Sequence, residues 1–298
     1  MSEEPPAAPL SLHDPQAEQA GIGPCARLVK RHDPDRYLLA ITAPPPHRPA
    51  LFALYAFNAE VSKTREVVSE AMLGEIRLQW WRDALAECFA GTPRRHEVVE
   101  PLSVAITQAA PARALLEQLI DARARDLDDA PVETMADFEA YARDTSGGLI
   151  RAAAQMIGAP ETDAGIQAAT DIGIAYALIG QVRALPFSLP ARRVMLPQAV
   201  FADGGAGPEV LEAARPDPSI TAACGKFLDR AADLLRDARA RRADVPGQAA
   251  PAFQAARLCR SYLNQLRRCR GDPFDGRLLT PPVWRALSVG FGAKTGRW

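Results

Sequence analysis

Carboxylates set four residues apart on a helix share one face and can jointly grip a hard divalent cation, which is how a protein holds a diphosphate. Three groups of acids in this chain invite that reading. Asp229, Asp233 and Asp237 repeat at the right interval, but Arg230, Arg236, Arg239 and Arg241 are interleaved with them. Acids with basic neighbours at such spacings form a solvated, salt-bridging face. Asp126, Asp128 and Asp129 stand just before a helix, where carboxylates serve as loop and cap residues. Glu60, Glu66, Glu70 and Glu75 lie close to Arg65 and Arg77 and read as ion pairs, with a partial metal site from Glu66 and Asp171 as the sharper alternative. Trp80 and Trp81 read as core and helix-surface residues that could instead line a lipid-sized cavity. The cysteines at 25, 88, 224, 259 and 269 lack zinc-ligand spacing, and their odd number argues against a disulfide framework.

The elements that must position these groups are almost all helical, because Ala, Leu, Arg, Glu and Gln dominate and β-branched runs are scarce. Apolar periodicity predicts helices over about 16–31, 48–67, 71–89, 97–109, 111–126, 135–157, 163–185, 219–243, 249–270 and 281–289. The chain has 298 residues, 48% hydrophobic and 24% charged, enough for one sizeable core. No apolar stretch is long enough to cross a membrane. Residues 1–15 read as a disordered tail rather than a signal peptide, and 16–298 as one all-α domain, so a cytoplasmic protein is expected.

Charge is uneven. Residues 239–298 hold twelve Lys or Arg and three acids, in a chain whose formal net charge is −1. On helix 249–270, Arg257, Arg260, Arg267, Arg268 and Arg270 occupy much of the circumference left by Leu258, Tyr262, Leu266 and Cys269. That pattern predicts peripheral docking on an anionic membrane or an acidic partner. A pI near 6.5 and sparse aromatic interleaving argue against nucleic acid.

The stretch YAFNAEVSKTREVVSEAMLGEIRLQWWRDAL from Tyr55, the helix YARDTSGGLIRAAAQMIG from Tyr141, and DIGIAYALIGQVRALPFSLPARRVMLP from Asp171 occur in order. Together they resemble the squalene/phytoene synthase family over roughly residues 30–270. The resemblance implies a single-domain, isoprenoid-synthase-like helical bundle around a central apolar cavity, with helices 48–67 and 163–185 facing each other across it. It implies cavity positions at Tyr55, Asn58, Glu66, Tyr141, Gly147, Asp171, Gln181, Arg183 and Arg193. The family's activity rests on two paired-aspartate motifs that hold Mg²⁺ and the substrate diphosphate.

Here the paired positions carry Ser62 and Glu66 in the first motif, and Ala184 and Ser188 in the second. Lys63 stands where many members have another aspartate, and Pro186 is expected to interrupt the second segment. No catalytic residue and no cofactor is therefore assigned; Mg²⁺ enters only if a prenyl-diphosphate transferase with an altered metal site survives. Asn58, Glu60, Val61, Arg65, Glu66, Val68, Ser69, Glu70 and Leu73 through Leu85 resemble an aspartate-poor branch similar to complex I assembly factor 6. That branch implies a non-catalytic assembly role at a membrane surface, with a respiratory complex I subunit or intermediate as partner and an isoprenoid or other lipid as ligand.

Overall fold

Side-chain caps open several of the long helices. Asp33, Thr162 and Asp217 each accept a hydrogen bond from a backbone N–H of the first turn, and Thr134 and Asp137 form a reciprocal capping box. A computed structural model describes residues 23–298 apart from Ser69 and Asp129. The expected tail at 1–15 and the start of helix 16–31 lie outside those residues.

Helices of eight residues or more, in chain order, are α1 (Pro24–His32), α2 (Pro34–Thr42), α3 (Arg48–Ser62), α4 (Ala71–Ala90), α5 (Val99–Ala109) and α6 (Arg113–Asp121). They continue as α7 (Met135–Ala142), α8 (Gly148–Met156), α9 (Asp163–Ser188), α10 (Pro218–Ala240), α11 (Ala255–Arg268) and α12 (Trp284–Thr295). No strand occurs among the described residues.

Most boundaries fall within a few residues of those expected from periodicity, and the differences have local causes. Helix 48–67 breaks at Lys63, leaving a separate turn at Thr64–Val67. Helix 135–157 is α7 and α8 joined through a π-helical turn at Arg143–Gly147. Such i→i+5 turns are single-turn bulges inside α-helices, and here Gly147 of the turn meets Gly173 of α9. Pro186 does not interrupt its segment: α9 runs through it to Ser188, because a proline in the last turn forfeits a single backbone bond. The predicted helix 249–270 begins with two 3₁₀ turns and becomes α-helical only at Ala255. The helix α2 was not anticipated; its Pro34 start suits a first helical position.

The central helix is α9. Its buried Ala168, Ala169, Ile172, Ala175, Leu178, Ile179, Val182 and Leu185 face several neighbours, so its apolar residues surround it rather than form one stripe. Its most extensive packing is against α10, whose buried Ile220, Phe227, Leu228, Ala231, Leu234 and Leu235 form an amphipathic stripe. A single apolar cluster links α1 through α12. Trp81 belongs to it at 1% exposure, packed edge-on to Phe57. Trp80 is half-buried, stacked between Trp81, His96 and the Arg94 guanidinium, so the tandem tryptophans are structural.

Candidate functional site

A cavity of about 770 Å³ opens where the C-terminal end of α3 meets the segments 123–133 and 189–212. Ser62 and Glu66 line it from the first motif, with Tyr141 from α7, Gln181 from α9 and Arg193 beyond it. Leu189, Val194, Met195, Phe201, Ala206 and Leu211 supply apolar wall. Helix α3 reaches the cavity only through Ser62 at its end, and α9 only through Gln181. Its rim is more charged than expected: Arg65, Arg123, Asp126, Asp128, Glu133, Arg192 and Glu212 also line it.

Arg123, Asp126 and Tyr141 form a closed triad. The Tyr141 hydroxyl donates to Asp126 at 2.5 Å, and Arg123 donates to the Tyr141 oxygen at 2.8 Å and to Asp126 at 3.2 Å. Burial opposes the charge on Arg123, but Tyr141 and Asp126 outweigh it and hold that guanidinium above its usual pKa. Burial also pushes the Tyr141 phenol upward. Both oxygens of Asp126 already accept a hydrogen bond and Arg123 compensates its charge, which weakens its attraction for a cation.

The remaining sequence-predicted positions lie elsewhere. Tyr55 is buried in α3 and borders, with Arg36 and Tyr176, a crevice of about 10 Å³, too small for a ligand. Asn58 is buried in the same helix. Gly147 sits in the π-turn against α9, where its backbone meets Gly173. Asp171 points away from the cavity to Arg241, 2.7 Å from its carboxylate. Burial raises the Asp171 pKa to about 6, with Arg241 pulling it down and Asp237 pushing it up. Arg183 lies over the Tyr262 ring at 3.6 Å and 3.9 Å from Asp35. Ala184 and Ser188 are half-buried on α9 and outside the cavity lining. A helix turns every 3.6 residues, so Gln181 can face the cavity while Arg183 and Asp171 face other elements.

The donor set does not suit the Mg²⁺ cluster that the resemblance implies. At the four paired positions only Glu66 is a carboxylate, and Asp171 is too far around α9 to join it. Among the described residues no group of three or more His, Cys, Asp or Glu converges as a cation site. Lys63, in place of an acid, is itself paired with Glu60, which also accepts from Arg77 at 2.8 Å. Glu60 therefore behaves as an ion-pair partner rather than a cation ligand. Sequence reasoning missed Arg123 and Glu133 as cavity residues, since neither falls in a recognisable spacing pattern.

The basic C-terminal region is also rearranged relative to a one-helix reading. Arg267 pairs with Asp229 at 3.5 Å, while Arg257 and Arg260 sit among Arg239, Arg242 and Arg297 from other segments. No helix among the described residues is long and apolar enough to cross a membrane.

The fold is shared with solved enzymes. A squalene synthase, HpnC, from Alicyclobacillus acidocaldarius superposes with a TM-score of 0.73 at 21% identity, covering 84% of this chain and 94% of that one. A dehydrosqualene synthase in complex with ligand gives 0.79 at 19% identity, over 95% and 98%. In sequence, the chain is similar to NADH dehydrogenase (ubiquinone) complex I, assembly factor 6. The Mus musculus protein is 28% identical over 265 residues, 89% of this chain and 79% of its own length. The Homo sapiens protein is 27% identical over 254 residues, 85% and 76%. The squalene/phytoene synthase profile matches residues 29–285, and with the helical order, the cavity and the crossing of α9 over the π-turn it shows that the chain belongs to the squalene/phytoene synthase family.

Proposed function

We propose that this chain is a non-catalytic member of its family that serves in the assembly of respiratory complex I, NADH dehydrogenase. The similarity to complex I assembly factor 6 proteins over 85–89% of the chain carries this reading. The composition of the motif positions supports it, because Ser62, Ala184 and Ser188 cannot supply the charge that holds a diphosphate's cations. On this reading no cofactor is used. The cavity, with its apolar wall at Leu189, Phe201 and Leu211, receives an isoprenoid or other lipid chain, or a segment of the partner.

On this reading the protein acts from the cytoplasmic side, peripheral on the inner membrane. Arginines of the C-terminal region, including Arg257, Arg260, Arg268 and Arg270, face anionic lipid there. The deciding experiment is removal of the gene from the organism that carries it, with complex I followed by native electrophoresis and in-gel NADH oxidation. Loss of the fully assembled band, restored by the wild-type chain, is expected. Normal assembly in the deletion strain overturns the proposal.

A further inference from the structure

The helix α12 carries an apolar face that no other part of the described protein covers. Val283 at its N-cap, Trp284, Leu287 and Phe291 are 80%, 70%, 61% and 56% exposed. At 3.6 residues per turn they fall within an arc of about 100°. The opposite side holds the helix in place: Val289 and Gly292 are buried, and Gly292 lies so close to Gln254 and Arg257 that a Cβ there would collide with both. Arg285 adds an anchor, donating to the Tyr262 hydroxyl at 2.8 Å and lying 3.3 Å from Asp35. The apolar arc is therefore displayed outward on a fixed helix.

Beside that arc stands a group of arginines brought together from four segments. Arg257 of α11 donates to the Arg297 carbonyl at 2.8 Å and to the Ser288 hydroxyl at 3.4 Å, and its guanidinium lies 5.5 Å from the Phe291 ring. Around it are Arg260 on the same helix, Arg239 at the end of α10, Arg242 in the following turn and Arg297 past the end of α12. Among the described residues none of these five makes an ion pair with an acid. Burial, and after it the neighbouring arginines, hold Arg257 below its usual pKa, and burial followed by Arg239 does the same to Arg260.

We propose that the outer face of α12 and the Arg239–Arg242–Arg257–Arg260–Arg297 cluster form one docking surface for an anionic lipid bilayer. In this arrangement α12 lies in the membrane plane, with Trp284, Leu287 and Phe291 among the acyl chains and the arginines on lipid phosphates. The inference rests on the membrane-peripheral part of the proposed function and moves the contact from the outer side of α11 to α12. The pairing of chemistries selects lipid: an apolar strip flanked by uncompensated guanidinium groups is complementary to acyl chain and phosphate together. Trp284 at the edge of the strip has the amphipathic ring that settles at a headgroup boundary.

The test uses the full chain with vesicles of phosphatidylcholine and phosphatidylglycerol at 7:3, and of phosphatidylcholine alone, at low and high salt. Expected is co-sedimentation with the anionic vesicles that falls at least tenfold in high salt, and little with neutral ones. Leu287→Asp with Phe291→Asp, at positions that touch no core residue, should reduce binding at least tenfold with an unchanged circular dichroism spectrum. Arg239→Gln, Arg242→Gln and Arg260→Gln together should do the same and flatten the salt dependence. Vesicles should shift tryptophan emission to the blue, and Trp284→Phe should abolish the shift while most binding remains, since Trp81 and Trp298 are already buried. If vesicles bind but the α12 variants are unaffected and Arg268→Gln with Arg270→Gln abolishes binding, this inference fails and the broader membrane reading stands. If neither vesicle binds, both fail.

Discussion

The backbones of Gly147 and Gly173 touch: a Cβ built on Gly173 would sit 2.2 Å from the Gly147 nitrogen and 2.4 Å from its Cα. That contact is where α9 crosses the π-turn between α7 and α8, and it brings Gln181 and Tyr141 to one cavity. Backbone cannot move aside as a flexible side chain can. Gly173→Ala should therefore destabilise the protein by about 3 kcal/mol or more, at the upper end of overpacking costs. Gly180→Ala, on the same helix with nothing near its Cβ, should leave stability unchanged or raise it by about 0.5–1 kcal/mol. Chemical denaturation of the two variants makes the comparison.

Asp171 predicts a pH dependence. Its carboxyl titrates near 6 in the folded protein against an ordinary 3.8, so the folded state binds the extra proton between those values. Stability from this group is complete below about pH 4 and is lost as pH rises through about 6. Relative to Asp171→Asn, the wild type should lose stability on the order of 2–3 kcal/mol between pH 4 and pH 7. Urea unfolding at four pH values checks it; a difference that stays flat, or grows in favour of wild type, contradicts the assignment.

Four helices meet at Asp35. Its carboxylate accepts from Tyr262 at 2.8 Å and lies near Arg285 and Arg183, joining α2, α9, α11 and α12. Asp35→Ala leaves two half-buried guanidinium groups without their counter-charge and should cost about 3 kcal/mol. Tyr262→Phe removes two hydrogen bonds and should cost about 1–2 kcal/mol. Both should expose the end of the chain, so limited proteolysis after Arg285 or Lys294 should accelerate.

Incubation with farnesyl or geranylgeranyl diphosphate and Mg²⁺ should yield no condensed product by lipid extraction. A tenfold fall in rate corresponds to about 1.4 kcal/mol of lost transition-state stabilisation, and three missing carboxylates lose several times that. Ser62→Asp with Ala184→Asp and Ser188→Asp should not restore turnover, because positions 184 and 188 lie outside the cavity lining and Lys63 is retained. Product from the wild type would overturn the non-catalytic reading.

Much of this protein is legible in its sequence alone. The helices α4, α5, α9 and α10 follow from apolar residues three and four apart, a spacing that closes within one or two turns. The replacement of paired acids by Ser62, Ala184 and Ser188 is likewise a plain sequence fact, as is the basic excess after residue 239. Side-chain direction and partner choice were not legible. Asp171, Arg183 and Gln181 share one helix, yet packing sends them to Arg241, to the Tyr262 ring and to the cavity. The cavity rim takes Arg123, Glu133 and Glu212 from segments far apart in the chain, and the arginine cluster joins residues 239, 242, 257, 260 and 297. Local periodicity fixes which face of a helix is apolar, whereas the neighbour that each polar group meets depends on how helices cross, and here that is decided by close contacts such as Gly147 on Gly173.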